Sequence, residues 1–328
     1  MYNVAILGYR HQAHYHHAPA FAQHPDCQIV AVCDIIAERA KQGADYYGVP
    51  AYTDADEMLE KEEIDIVDIP VGEQYRPPLV LKCLKRNKHV LTEKPLAGAA
   101  GQYKIQLSDV PTVKAMIDEW RQHETQFGVC FCLHGSPNVR WAKDVIRSGR
   151  LGALKMLNAR TALGSWNHII DLVRFLSGEV KEVFAYTDDP KAHNDKVVCL
   201  RFENGAIGTL SVSSNLSLQF QLKWIGEKGE ITIDNIAGTA FWHLHNSLEI
   251  TRWNDERQLN RSTFQTLFDV WVSDFMDSIK NGVPFDADGW AGLRHIEIDG
   301  TISESIATAR PISIERYLPE YGHTIEIK

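Results

Sequence analysis

The first part of the chain with residues suited to ligand binding runs from Gly8 to Asp34. A dinucleotide-binding fold places Gly-x-Gly-x-x-Gly directly after its first strand, with an acidic residue about 20 residues further on. Here the loop reads Gly8-Tyr9-Arg10-His11-Gln12-Ala13. The first glycine is present, and alanine is tolerated at the third place. Arg10 stands at the second place, where it either blocks the approach of a pyrophosphate or swings out and pairs with a phosphate.

Asp34 follows the second apolar run of the chain, Ile29 to Cys33. A carboxylate at the end of that strand accepts hydrogen bonds from the adenosine ribose hydroxyls and repels a 2′-phosphate. The position therefore favours NAD as the cofactor and disfavours NADP. The loop alone leaves a second interpretation open, namely a Rossmann-like domain that has lost its ligand.

Histidines and cysteines raise the question of a metal site. Four histidines lie between positions 11 and 17, where a neutral imidazole can donate to a phosphate. Cys130 and Cys132 share a strand face, but no second pair completes a four-ligand site. The six cysteines lie mostly in apolar strand-like runs, which indicates buried thiols in a reducing compartment. We therefore predict no metal site and a cytoplasmic location.

The elements that position these residues alternate between strand and helix in the first part of the chain. Such alternation predicts βαβ units and a parallel sheet with right-handed crossovers. The later part is rich in β-type runs separated by glycine turns. The predicted strands are Val4–Leu7, Ile29–Cys33, Ile64–Ile69, His89–Leu91, Val197–Phe202, Ala206–Ser213, Leu222–Ile225 and Glu230–Ile233.

Length and charge limit the function classes. A chain of 328 residues suggests two domains, and 44% apolar with 23% charged residues is ordinary for a globular enzyme. A net charge of −9 disfavours binding to nucleic acid or to an anionic membrane. No apolar run approaches the ~20 residues of a membrane span. The start of the chain lacks the features of a signal peptide.

The segment from Lys88 to Leu96 contains Glu93-Lys94-Pro95 and resembles the signature of the Gfo/Idh/MocA oxidoreductases, the glucose–fructose oxidoreductase and inositol dehydrogenase family. His16 falls where that family often carries a histidine after its glycine loop. Other segments resemble the family and occur in the family's order along the chain. They include Ala31–Asp34, Tyr47–Pro50, Ser148–Gly152, Phe202–Ala206 and Gly226–Gly229. The similarity extends over nearly the whole chain.

The resemblance implies an α/β fold of two domains. An N-terminal Rossmann domain, residues 1–125, would bind NAD on a doubly wound parallel sheet. A C-terminal α/β domain, residues 126–328, would carry a large open, mostly antiparallel sheet for substrate binding and oligomerisation. Family members commonly pack these sheets against each other, which implies a homodimer or homotetramer.

The resemblance also implies site residues. Lys94 would lie at the junction of nicotinamide and substrate as a catalytic group. The implied cofactor-binding residues are Gly8, Arg10, His11, Gln12, Asp34, Pro70, Val71, Tyr75, Glu93 and Lys94. The implied catalytic and substrate-binding residues of the second domain are His168, His134, Trp166, Asn167 and Asp171.

The second family signature, Asp-x-Gly-x-His-x-x-Asp, is altered here. His168 and Asp171 match it, whereas Gly164 takes the place of the first aspartate and Trp166 that of the glycine. His168 is a candidate acid–base group, and Asp171 either orients it or caps and solvates the helix. Trp166 either stacks on a sugar ring or belongs to the core. The chain is also shorter than relatives before His168, and Ala99–Val113 looks like an inserted surface loop.

The leading hypothesis is an NAD-dependent oxidoreductase that acts on a hydroxyl carbon of a sugar, cyclitol or glycoside. A second hypothesis is a glycosidase or lyase that uses bound NAD without net redox change. A third, motivated by Arg10 and Gly164, is a dinucleotide-binding protein without turnover. The substrate would be a small polyol or sugar under the first two hypotheses.

Overall fold

The structure, a computed structural model, describes residues 1–217, 219–236, 238–253 and 261–321. It divides into two compact units, each built from several segments. The first unit comprises residues 1–97, 111–132 and 265–293, and the second comprises the described parts of 98–110, 133–264 and 294–328. Residues 98–110 thus belong to the second unit and residues 265–293 to the first. The domain division 1–125 and 126–328 stays a prediction.

The described residues form fifteen β-strands and nine α-helices. The strands are β1 (Tyr2–Leu7), β2 (Cys27–Cys33), β3 (Ala51–Tyr52), β4 (Ile66–Ile69), β5 (His89–Thr92), β6 (Phe127–Val129), β7 (Leu154–Ala162), β8 (Val180–Thr187), β9 (Lys196–Phe202), β10 (Ile207–Ser213), β11 (Phe220–Gly226), β12 (Gly229–Asp234), β13 (Ala240–Leu244), β14 (Thr251–Trp253) and β15 (Ile312–Ser313). The helices are α1 (Ala18–Gln23), α2 (Ala37–Tyr47), α3 (Ala55–Lys61), α4 (Arg76–Leu84), α5 (Val110–Trp120), α6 (Pro137–Arg147), α7 (Trp166–Ser177), α8 (Arg261–Asn281) and α9 (Gly289–Thr308).

The first unit contains a six-stranded sheet in the order β3-β2-β1-β4-β5-β6, and its strand pairs are parallel. All four residues of β4 are buried, as expected for a central strand of a parallel sheet with both faces covered. The strand order reverses between β1 and β4, so the carboxyl ends of these strands flank a topological switch point. Gly8, Asp34 and Pro70 follow three of the strands at this edge. The predicted Rossmann sheet is confirmed.

The segment after the glycine loop is helical, but its first turn is a π-helix over Ala13–His17, which continues into α1. A π-turn holds one residue more than an α-turn, so the side chains after it change direction. His17 is consequently fully buried, whereas His16, the histidine at the family position in the sequence, is half-buried. The resemblance therefore singled out His16, whereas the fully buried histidine of this segment is its neighbour His17.

The second unit contains a nine-stranded sheet in the order β14-β13-β12-β11-β7-β10-β9-β8-β15. Only β7 and β10 pair in parallel, and the other neighbours are antiparallel. Burial alternates strictly along β9 and β11, which is the pattern of a sheet covered on one face. The open, mostly antiparallel sheet predicted for this part of the chain is confirmed.

Helix α7 packs on the covered face of this sheet, where Trp224 Nε1 donates to the Leu176 carbonyl at 3.1 Å. All residues of α7 are buried with one exception. His168 is the single residue of α7 that is not buried. In the described part of the chain, no helix combines the length and hydropathy needed to cross a bilayer.

Candidate functional site

A cavity of about 430 Å³ opens at the carboxyl-terminal edge of the first sheet. Its size and largely apolar wall are typical of a small-molecule or cofactor site. The lining residues are Leu7, Gly8, Arg10, Cys33, Asp34, Ile35, Arg39, Thr53, Ala55, Pro70, Val71, Gly72, Gln74, Tyr75, Pro78 and Leu79.

Gly8 sets the approach of the backbone to this cavity. Its φ is +102°, in the region that side chains avoid, and a Cβ there would lie 2.4 Å from Val71 Cγ1. The loop after β1 therefore lies directly against the loop after β4. This close packing leaves the backbone of both loops facing the cavity.

Asp34 joins the loop after β1 to the loop after β2. Its Oδ2 accepts the Tyr9 N–H at 2.8 Å, and its Oδ1 accepts the Ile36 N–H at 2.9 Å. The residue is 6% exposed and lines the cavity. Each carboxylate oxygen has a second lone pair, so the group can still accept a hydrogen bond from a ligand hydroxyl.

Arg10 is exposed and lines the cavity, so its side chain does not fill the space where a second glycine would stand. A second guanidinium, Arg39 of α2, lines the same cavity. Planar guanidinium groups match phosphate oxygens in geometry and charge. The cavity therefore combines one carboxylate with two cations.

Six of the ten predicted cofactor residues line this cavity: Gly8, Arg10, Asp34, Pro70, Val71 and Tyr75. His11 and Gln12 are exposed, and neither lines it; the His11 ring packs 4.7 Å from the ring of Tyr15. Glu93 and Lys94 lie after β5 and do not line it. The sequence did not single out Arg39, although an arginine five residues after a strand-ending acid was a usable signal.

The Glu93-Lys94-Pro95 turn rests on buried charges. Glu93 Oε2 accepts the Lys94 N–H at 2.9 Å, and Glu93 Oε1 lies 3.2 Å from His17 Nε2. The other ring nitrogen of His17 lies 2.9 Å from Asp68 Oδ1. We call His17, Asp68 and Glu93 the His17 cluster. Asp68 sits inside a strand of otherwise apolar residues, and this was the sequence signal that could have revealed the cluster.

The pKa values within the His17 cluster follow from burial and charge. Burial lowers the pKa of His17, but the charges and hydrogen bonds of Asp68 and Glu93 outweigh this effect and raise it to about 10. Burial raises the pKa of Glu93, and His17, Lys94 and Arg76 more than offset this, so it falls below its usual range. Burial also raises the pKa of Asp68, an effect that the His17 cation opposes.

In the second unit, His134 and Asp171 form a buried pair. His134 Nε2 lies 2.5 Å from Asp171 Oδ2, and the His134 ring stacks on Phe175 with 3.9 Å between centroids. Arg174 donates to Asp171 Oδ1 at 3.3 Å. Burial raises the pKa of Asp171, but His134 and Arg174 lower it below its ordinary value. Asp171 therefore orients His134, a partner that the spacing from His168 did not indicate.

Trp166 and Asn167 are fully buried. Trp166 Nε1 donates to Asp299 Oδ1 at 3.0 Å, and Lys196 Nζ lies 4.2 Å from the centroid of its ring. Burial raises the pKa of Asp299 to about 6 and lowers that of Lys196. A ring closed off in this way has no face for a sugar, so its placement favours the core interpretation of Trp166.

The segment after the Glu-Lys-Pro turn packs on these residues. Asn167 Nδ2 donates to the Gln102 carbonyl at 3.2 Å, and Lys196 Nζ donates to the Tyr103 carbonyl at 3.0 Å. Ile105 and Asp109 of the same segment are buried. The expected surface loop is therefore an integral part of the second unit.

Gly164 lies in the 3₁₀ turn before α7, and a Cβ at that position would meet no atom within 4 Å. A larger side chain therefore fits there. The space in which relatives carry the first aspartate of the signature is open in this chain.

Two family models match the chain. The model of the oxidoreductase family with an NAD-binding Rossmann fold, GFO_IDH_MocA, covers residues 2–123, and the model of the GFO/IDH/MocA C-terminal domain covers residues 161–232. The chain belongs to the Gfo/Idh/MocA oxidoreductase family. It is an NAD-binding oxidoreductase of the dehydrogenase type.

Similar proteins include the myo-inositol 2-dehydrogenase of Thermotoga maritima, which is 24% identical over 92% of this chain and 96% of its own length. Among solved structures, levoglucosan dehydrogenase in complex with NADH and L-sorbose superimposes with a TM-score of 0.84 at 18% identity, covering 96% of this chain and 99% of that one. The WlbA dehydrogenase from Bordetella pertussis, in complex with NADH and UDP-GlcNAcA, has a TM-score of 0.81 at 18% identity, covering 96% and 98%. These structural similarities establish the fold.

Replacing Asp171 by asparagine should destabilise the protein by about 3–5 kcal/mol, because His134 then loses its buried counter-ion and Arg174 keeps only Glu179. Urea unfolding of the variant measures this change. Asp26→Asn is the matched control, since it removes one carboxylate from an exposed pair with Lys280 and should leave stability nearly unchanged. Equal effects of the two substitutions would show that the Asp171 contacts do not stabilise the fold.

Proposed function

We propose that this protein is an NAD-dependent dehydrogenase that oxidises a secondary hydroxyl of a sugar, cyclitol or related polyol. The observation that carries the proposal is the cavity at the switch point of the first sheet, which Gly8, Arg10 and Asp34 line together. The names of the similar proteins support a polyol or sugar as substrate. Bound NAD would supply the two-electron acceptor for the reaction.

The residues present fit a dinucleotide. Gly8 brings the backbone close, Asp34 offers acceptor lone pairs to ribose hydroxyls, and Arg10 and Arg39 offer donors to phosphate. Exposed Ile35, 86% accessible, offers an apolar surface to the adenine ring. We assign NAD rather than NADP, because a carboxylate at Asp34 repels a 2′-phosphate.

We assign the chemical roles to Lys94 and His168. Lys94 would hydrogen-bond the reacting hydroxyl and stabilise the negative charge that develops on its oxygen. His168, the least buried side chain of α7, would accept the hydroxyl proton. His134, Asn167 and Asp171 would support the polyol site from behind, since all three are buried.

One test of the proposed function concerns cofactor binding and Lys94. Purified protein should carry NAD(H), detectable by mass spectrometry, and should form NADH with at least one of myo-inositol, levoglucosan, L-sorbose or a sugar acid. Lys94→Ala should lower kcat/KM by about 10²–10⁴-fold, because it removes a group that acts on the reacting oxygen. NADH absorbance and NADH fluorescence titration measure turnover and cofactor binding separately.

Lys85→Ala is the control, since Lys85 is an exposed lysine of the same unit and has no assigned role. Absence of NAD(H) binding in the wild-type protein would contradict the proposal. Retained NAD(H) with substrate conversion but no NADH release would support the redox-neutral alternative. The non-catalytic alternative is motivated by Arg10 and by Gly164, which supplies no carboxylate at the family position.

A second prediction concerns cofactor choice. Asp34→Asn keeps an oxygen acceptor but removes the negative charge, so the ratio of NADPH to NADH dissociation constants should fall about tenfold. Fluorescence titration with both cofactors measures the ratio. Asp45→Asn, an exposed acid of α2 paired with Lys41, should leave the ratio unchanged. If the ratio of the two dissociation constants is unchanged in Asp34→Asn, the assignment of NAD through Asp34 is wrong.

We also propose that the open face of the nine-stranded sheet joins two copies of the chain in a homodimer or homotetramer. Exposed apolar side chains lie there: Val197 on β9 is 49% exposed and pairs with the exposed Tyr186 on β8, and the exposed Ile207 on β10 lies opposite Arg201 of β9. Burial of such a patch is favourable. The cytoplasmic location stays a prediction; five of the six cysteines are buried and all are free.

Val197→Glu should therefore shift the protein toward monomer, because it places a charge in the proposed interface. Light scattering and analytical ultracentrifugation report the mass in solution. Val283→Glu, at a valine that is 50% exposed in the other unit, is the control. A wild-type protein that is monomeric at high concentration would refute the interface.

A further inference from the structure

The His17 cluster does not touch the cavity, yet it places a histidine between two carboxylates in the core of the first unit. Both ring nitrogens face a carboxylate oxygen, Nδ1 at 2.9 Å from Asp68 and Nε2 at 3.2 Å from Glu93. Where both carboxyl groups are ionised, a neutral imidazole, which has one N–H and one lone pair, satisfies only one of these contacts. An imidazolium donates in both directions.

The surroundings leave no other donor for Asp68. Its Oδ2 has no hydrogen-bond partner among the described residues, and the carboxyl group is fully buried. The rings of Phe268 and Trp271 from α8 enclose His17, with centroids 5.4 and 5.2 Å from its own. Bulk solvent therefore does not reach the ring, and an N–H at Nδ1 of His17 is the donor that faces Asp68 Oδ1.

The other titratable groups around His17 are few. Cys130 at the end of β6 places its Sγ within 4.8 Å of the ligand atoms of His17 and Glu93, and burial raises the pKa of this thiol. The neighbouring His16 is half-buried, and burial together with the charge of His17 lowers its pKa. On the far side of Glu93 lie Arg76 and Lys94, whose charges also favour the carboxylate.

The cluster reaches the Glu-Lys-Pro turn through the backbone. Glu93 uses one oxygen for His17 and the other for the N–H of Lys94. On the other side of Lys94, the buried guanidinium of Arg76 donates to the carbonyl of Pro95 and, at 2.5 Å, to the carbonyl of Val71, a residue of the cavity wall. The backbone of Lys94 is thus held on both sides by buried charges.

We propose that His17 is a positioning residue of the active site: as a buried cation it fixes Glu93, and Glu93 in turn fixes the backbone from which Lys94 extends. The inference deepens the proposed function, because it rests on Lys94 acting at the substrate. It assigns no contact with substrate to His17. The π-turn over Ala13–His17 is what brings this histidine inward.

The charge state has a defined effect on stability. The pKa of His17 in the folded protein, about 10, lies above the value near 6.5 of an unfolded chain. The stabilisation is therefore complete below about pH 6.5 and is lost as the pH rises toward 10. Between these limits the folded protein should keep the proton that a free histidine has released.

Two measurements test the proposal without a substrate. Nitrogen-15 NMR of the histidine rings at about pH 8.5 should show one imidazolium, absent in His17→Gln, although free imidazoles are neutral there. Hydrogen exchange should show that the protection factor of the Lys94 amide falls about tenfold or more in His17→Gln, because Glu93 loses the partner that fixes it. His16→Gln, one residue away and half-buried, should change neither result.

Asp68→Asn provides a second variant in case His17→Gln does not fold. It keeps the shape of the side chain and removes the charge that holds the proton on His17, so the pKa of His17 should fall toward its ordinary value. Protection of the Lys94 amide should then decline between about pH 6 and pH 8.5, whereas in the wild-type protein it should not change. If His17 had only a structural role, the hydrogen-exchange protection of the Lys94 amide in Asp68→Asn would not depend on pH.

Three outcomes would overturn the proposal. One is a neutral His17 at about pH 8.5 in the wild-type protein. Another is a Lys94 amide whose protection is unaffected in both variants. The third is a stoichiometric transition metal in the purified protein that is lost in Cys130→Ser, since His17, Glu93 and Cys130 would then be ligands. Failure of every polyol to react would instead contradict the proposed function, and these measurements would still stand.

Where a substrate is found, a kinetic comparison adds a further test. His17→Gln should lower kcat about tenfold or more and leave the NADH dissociation constant within about threefold, because the lining of the cavity is intact. A variant that instead loses NADH affinity and keeps kcat would assign His17 to cofactor binding and overturn its positioning role.

Discussion

A charge placed in the core of a parallel sheet must find an opposite charge within hydrogen-bond distance, because water cannot reach it. The first unit meets this requirement with Asp68 in a central strand, His17 in the π-turn and Glu93 after β5. These three positions come from distant parts of the chain, so their pairing also aligns the segments that carry them. The glycine loop, the central strand and the Glu-Lys-Pro turn are fixed relative to one another by this one set of contacts.

The second unit follows the same principle with different residues. Asp171 is held between His134 and Arg174, and Arg174 also reaches Glu179 at 3.4 Å. All four side chains are buried and belong to α7 or to segments packed against it. The two side chains proposed to act on the substrate, Lys94 and His168, both lie on segments that take part in these buried contacts. Catalytic groups benefit from such support, because small displacements of a reacting group are costly.

The sequence was sufficient for the parts of the structure that depend on local pattern. Runs of apolar residues predicted eight of the fifteen strands in the described residues, and Asp34 at the end of β2 lines the cavity as expected. The family signature singled out His168 and Asp171, but it could not reveal that Asp171 turns to His134, which is distant in sequence. His17 was missed for a related reason, since a periodicity of 3.6 residues does not anticipate a π-turn. Tertiary contacts and an irregular turn thus set the limits of prediction.

The glycine loop illustrates how a departure from a motif can be absorbed. The second glycine of the pattern is replaced by Arg10, and the neighbouring Tyr9 turns its ring toward α2 instead. Gly43 of that helix makes room, since a Cβ there would lie 2.8 Å from the Tyr9 ring, and the Tyr9 hydroxyl lies 3.0 Å from His14 Nδ1. Because the tyrosine is packed inward, the adjacent arginine extends outward into the cavity. This outward position is the one that the proposed pairing of Arg10 with a phosphate requires.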